Sequence, residues 1–252
     1  MTMHRGWLAS LFLGLAGSLA AADAAQVLQQ ALAAEARYDT GAALALFRQA
    51  DALRPDDPFI LQKLSKQYSD ATGDTADVAE KQRLCREALA YAQRAVALQP
   101  ASAINVLSLA ICYGKLGLYS DTRTKIEYSR QVKEYAEQAL ALDPNYDYAH
   151  HVLGRWNYEV ASLGLSTRLI VRLIYGGLPP ASTAEAVRQL RRAVELSPRL
   201  PSHRVELGFA LLADGQREAA RLMFAQALAL PMVEKHDEEA CARARAALAK
   251  LG

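Results

Sequence analysis

Chemically able side chains are most concentrated between His150 and Gly164, in the run HHVLGRWNYEVASLG. Two histidines, an arginine, a tryptophan, an asparagine, a tyrosine and a glutamate in so short a stretch could hold a metal or stage an acid–base step. A metal needs ligands that converge on one point. On a helix His150 and His151 point about 100° apart, so they lack the i, i+4 spacing of an HExxH site. Glu159 lies eight residues beyond His151, about 12 Å along a helix axis, and cannot complete the set. No serine sits in a GxSxG elbow, and no glycine-rich phosphate loop occurs in the chain. The expectation is therefore no catalytic residue, no metal and no cofactor, and a structural or binding role for the cluster.

The elements that carry it are marked by punctuation. ADALRP ends at Pro55, AVALQP at Pro100, ALALDP at Pro144 and AVELSP at Pro198, with a shorter ALALP at Pro231. In each, alanine and leucine share one helical face. The proline then stops the helix, because it lacks an amide hydrogen and clashes with the preceding turn. Between Pro201 and Pro231 a whole unit is visible: Leu207-Gly208 and Leu211, a turn at Asp214-Gly215, then Ala220, Phe224, Ala227 and Leu230. This resembles the tetratricopeptide repeat, in which small residues sit where two antiparallel helices approach and large ones fill the adjoining gaps. A unit of this kind cannot bury its apolar face alone, so neighbours must stack. The predicted fold is all-α: tetratricopeptide-like helix pairs in a right-handed superhelix over residues 23–252, about five units, with Glu234 to Leu251 as a polar capping helix. Insertions relative to the template fall near residues 70–80, 118–130 and 159–183.

In that frame the opening cluster divides by face. His150, Leu153 and Gly154 fall on the side that meets the second helix of the fourth unit, and Trp156 is expected to anchor the insertion that follows. Tyr148, His151, Arg155 and Tyr158 recur at spacings of three, four and three and form one stripe. The corresponding face of such an array lines its concave groove, where an extended peptide can lie. The second unit would present Phe59, Gln62 and Lys66 there. Arg155 and Lys66 are candidates to clamp a carboxylate or other anion, with the tyrosines adding apolar area and hydroxyls.

The insertion LGLSTRLIVRLIYGGLPPAST invites a second reading. Its Leu165, Leu169, Ile170, Leu173 and Ile174 could fold over the groove as an apolar lid. Arg168, Leu169 and Arg172 would then contact a lipid or other apolar ligand carried beneath the Leu163–Leu178 segment.

Composition narrows the partners. The 252 residues are 52% apolar and 22% charged, and 29 basic against 27 acidic side chains leave a formal charge of +2. That balance is a folded chain's and makes no overall case for nucleic acid or for an anionic membrane surface, so a charged partner must be met by a local patch. Cys85, Cys112 and Cys241 are far apart with no CxxC, so buried free thiols are expected. At the N-terminus, His4 and Arg5 precede an apolar run from Trp7 to Ala22 that ends in small residues. This reads as a cleavable signal peptide over residues 1–22 and predicts export, periplasmic or secreted; a retained membrane tether is the alternative.

HHVLGRWNYEVASLG, then a mixed apolar and basic helix, then GLPPAST before AVRQLRRAVELSP, is similar to the regulator of microtubule dynamics family of tetratricopeptide-like proteins, most densely from about Ser102 to Pro198. Asn157 departs from the cysteine or other small residue expected there. The resemblance implies an all-helical, non-enzymatic interaction domain, with animal members associated with microtubules and organelle membranes. It also implies that His151, Gly154, Arg155, Trp156 and Tyr158 matter to the groove. The expected function is a scaffold that holds a protein or peptide segment in its concave groove.

Overall fold

A computed structural model describes residues 7–251, with side chains described from Ala22 onward. Among these residues there are twelve α-helices and one 3-10 turn. The first helices of the five pairs are α1 (Trp7–Ala36), α3 (Pro58–Ala71), α5 (Ala103–Leu118), α7 (Asp147–Ala161) and α10 (Pro201–Ala213). Their partners are α2 (Thr40–Leu53), α4 (Val78–Leu98), α6 (Thr122–Leu142), α9 (Thr183–Leu196) and α11 (Arg217–Leu228). The inserted α8 (Leu165–Tyr175) lies between α7 and α9, and α12 (Asp237–Leu251) closes the array. Each second helix also packs on the first helix of the next unit, the stacking of an all-α tetratricopeptide-like solenoid.

Local chemistry accounts for the helix ends. Each second helix stops two or three residues before its proline, at Leu53, Leu98, Leu142, Leu196 and Leu228. Asp39, Asp57, Asp77, Ser102, Asp121 and Ser182 cap helix starts by accepting backbone N–H groups. The core is alanine-rich at the pair seams, with Ala43, Ala88, Ala136, Ala186 and Ala220 fully or almost fully buried. The closest approaches are at Gly154 and Gly208: a Cβ would stand 2.5 Å from Leu190 Cγ in one case and 2.4 Å from Phe224 Cε1 in the other.

The extra residues are spent in different ways. Near 70–80 only a 3-10 turn (Thr72–Asp74) and a short link separate the helices, and the surplus goes into α4, which has 21 residues. Near 118–130 it lengthens α6 to 21 residues. The third insertion builds α8 and a returning coil through Gly176 and Gly177, whose φ values of +77° and +84° suit glycine. The expected leader over residues 1–22 lies, apart from the helical backbone of α1 and Ala22, outside the described residues.

The capping helix starts later than predicted, at Asp237 rather than Glu234. Residues 229–236 are largely non-helical, because Pro231 breaks the chain and the buried Asp237 carboxylate accepts the Val233 and Glu234 N–H groups, both at 2.8 Å.

Candidate functional site

Residues 231–236 leave α11 at one end of the array and reach α3 near the other. Lys235 Nζ meets Asp74 at 2.6 Å and also bonds the Thr40 hydroxyl. His236 Nε2 lies 3.1 Å from Asp70 Oδ1, and Tyr148 donates its hydroxyl to Glu234. Because α3 and α7 are both first helices, the segment crosses the inner face of the solenoid. A cavity of about 370 Å³ lies beside it, lined by Glu35, Tyr38, Lys66, Gln67, Asp70 and Glu234 among others.

Lys66 is where the groove reading placed it, but it is already paired, with Asp70 at 2.7 Å and Glu35 at 3.4 Å. Burial pushes the Asp70 carboxyl up, but the His236 hydrogen bond and Lys66 outweigh it and hold the group at about 2. Gln62 is half-buried and does not line the cavity, whereas Gln67 does, donating to Glu35 at 3.1 Å. Phe59 is exposed, with Lys63 Nζ 5.6 Å from its ring centre.

The stripe on α7 does share one face, and that face is occupied by the protein itself. His151 and His203 of α10 meet through their Nδ1 atoms at 2.9 Å, and His203 Nε2 lies 3.1 Å from Asp147 Oδ2. Burial, with His203 beside it, pushes His151 down to about 3 and keeps it neutral. Tyr158 donates to Glu206 Oε2 at 2.6 Å, and Arg243 of α12 reaches Glu206 Oε1 at 2.6 Å while lying 4.6 Å over the Phe209 ring. Glu206 is only 3% exposed. Burial raises its carboxyl, but Arg155 and Arg243, with the Tyr158 hydroxyl, hold it below the usual range.

Arg155 donates to Glu159 at 2.7 Å and stands 3.9 Å from Glu206. The two predicted anion clamps, Arg155 and Lys66, are thus neutralised by carboxylates of the same chain: an arginine or lysine half-withdrawn from water needs a counter-charge, and the inner face supplies one.

On the packing side of α7, His150 and Gly154 meet α9, whereas Leu153 belongs to the apolar cluster formed with α5 and α6. His150 Nδ1 meets Gln189 Oε1 of α9 at 2.5 Å, and Leu153 and Gly154 are buried. Trp156 differs. Its indole N–H donates to the Ser129 carbonyl at 2.7 Å, so it ties α7 to α6 rather than to the insertion. The insertion is held by Arg130, which donates to the Tyr175 and Gly177 carbonyls, and by Asn157, whose Oδ1 accepts the Ser182 N–H at 3.4 Å.

The lid reading of the insertion is corrected. Among the described residues the backbone of α8 comes close to α6, a second helix on the side away from the groove, and Arg168 ties it to the last carbonyl of α7, at Ala161. Arg168 and Arg172 line a cavity of about 390 Å³ with Val160, Leu163, Val171 and Leu178 between α8 and its return coil, while Leu169 is exposed. The three cysteines are buried and free, and burial pushes the Cys112 thiol up to about 12.

Sequence reasoning missed Glu206, His203, Glu234, Arg243 and Arg130. Two had a signal. Aligning Gly208 with Gly154 puts Glu206 and His203 where the fourth unit has Val152 and Ala149, so polar groups occupy an apolar register.

Comparison with known proteins agrees with this architecture. A tetratricopeptide-repeat protein of Thermus thermophilus superposes with a TM-score of 0.65 at 22% identity, over 90% of this chain and 99% of that one. Regulator of microtubule dynamics protein 1 of Mus musculus is 29% identical over 161 residues, 64% of this chain and 53% of its own length. Regulator of microtubule dynamics protein 3 of Xenopus laevis is 28% identical over 180 residues, 71% of this chain and 39% of its own. This chain therefore spans about half or less of those relatives. The family model described as Regulator of microtubule dynamics protein 1-3 matches residues 26–252, and the chain belongs to that family.

Proposed function

We propose that this protein is a non-enzymatic helical-repeat scaffold whose inner face binds an extended segment of a protein partner. One observation carries the reading: that face already grips a non-helical stretch of its own chain, Pro231–His236, through side chains of α3, α7 and the 3-10 turn. A partner segment with an acidic residue followed by a basic one would reproduce Glu234 and Lys235, meeting Tyr148 and Lys66 with its acid and Asp74 with its base. The test is co-purification from the native compartment, followed by affinity measurement on each recovered partner. Tyr148→Phe with Lys66→Ala should weaken binding at least about tenfold, and Glu234→Ala with Lys235→Ala should strengthen it by removing the internal competitor. Partners held equally by parent and both variants would place the binding site elsewhere. We further propose that residues 1–22 direct export; the mass of the mature chain tests this, and an intact N-terminus would favour a retained tether instead.

A further inference from the structure

The helix α8 presents its apolar side to solvent. Leu165 is 85% exposed and Leu173 75%, and Leu169, Ile170 and Ile174 are all more than half exposed. At about 100° per residue these five fill one half of the helix circumference, while Val171, Tyr175, Arg168 and Arg172 take the other half. Val171 is the one buried residue of the helix. The helix is tied to α6 all the same, since Arg130 donates to the carbonyls of Tyr175 at its end and Gly177 just beyond. An unpartnered apolar face of this size on a fixed support marks an interaction surface.

We propose that α8 docks in the interface of an anionic lipid bilayer, its leucines and isoleucines among the upper acyl chains and Arg168 and Arg172 at the level of the head-group phosphates. Charge argues for this occupant: residues 160–184 contain both arginines and no aspartate or glutamate. Both arginines lie beyond one edge of the apolar arc and line the adjoining cavity, which a phosphate could enter. Arg168 uses one donor on the Ala161 carbonyl, and a guanidinium has five. Eleven residues make a helix about 16 Å long, which can lie in the membrane plane but cannot cross a hydrocarbon core of about 30 Å. A second copy or another protein fits less well: the exposed arc holds five aliphatic side chains and Ser166 and no aromatic anchor, against the 20–30 residues per side and aromatic anchors of a stable interface.

The experiment uses the full chain with phosphatidylcholine vesicles, with and without phosphatidylserine. Leu173→Cys labelled with a polarity-sensitive fluorophore isolates α8 from any binding by residues 7–22, and the three native thiols are buried. The expected result is a blue shift and quenching by lipid-chain quenchers on anionic vesicles, lost at high salt. Leu169→Glu, in the same labelled chain, should lower the apparent affinity at least about tenfold without changing the thermal midpoint. No shift on anionic vesicles, or an equal shift with Leu169→Glu, would overturn the proposal. So would a lipid-free, concentration-dependent shift, which would assign the face to a second copy.

Discussion

Residues 165–175 and 231–236 exchange the places their composition suggests. The first stretch is mostly leucine, isoleucine and valine, yet it stands in water on α6. The second, PMVEKH, holds three polar or charged residues in six, yet it runs across the inner face with Glu234, Lys235 and His236 all paired. The difference shows what each site demands. A groove lined by Asp70, Lys66, Tyr148 and Glu206 rewards charge complementarity, because half-buried ionisable groups need partners. The outer flank of α6 offers Arg130 to the carbonyls of Tyr175 and Gly177, and nothing that covers an apolar arc.

The contrast predicts that stability is concentrated on the inner side. The largest effect is expected from Glu206→Ala. It would strand Arg243, Arg155 and the Tyr158 hydroxyl around a buried site and cost about 3 kcal/mol, read from urea unfolding. Next comes acid. With its carboxyl held at about 2 against an ordinary 3.8, Asp70 contributes about 2 kcal/mol that is fully present above about pH 4 and lost as pH falls through 2. Asp70→Asn should flatten that part of the stability–pH curve. Asp237→Ala removes the carboxylate that fixes Val233 and Glu234, for about 1 kcal/mol and faster amide exchange at 233–236. The smallest effect belongs to α8: Leu169→Gln with Leu173→Gln should move the unfolding midpoint by less than about 0.5 kcal/mol. A large loss there would mean that the apolar arc is covered within the molecule, and the comparison would fail.

The fold was far more legible than the site. Proline after a leucine-ended helix, aspartate or serine before the next one, and glycine opposite Leu190 and Phe224 all act within one helix pair, so sequence spacing carries them. The stripe Tyr148, His151, Arg155 and Tyr158 was legible as a face for the same reason. Its partners were not. Glu234 is 86 residues from Tyr148 along the chain and Asp70 is 166 from His236, and no local period reports how far a superhelix curls back on itself. Trp156 shows the limit at shorter range: its burial was predictable, but whether its indole turned to α6 or to the insertion depended on where Ser129 lay.

By itself the sequence determined the helix pairs, their order and the residues at their seams, because capping, proline stops and close packing are local or nearest-neighbour effects. Only the tertiary structure decided that the groove is spanned by the protein's own chain and that α8 faces outward. Both depend on the accumulated rotation of five stacked units, which brings α3, α7 and residues 231–236 to one place while leaving α8 on the far side of α6.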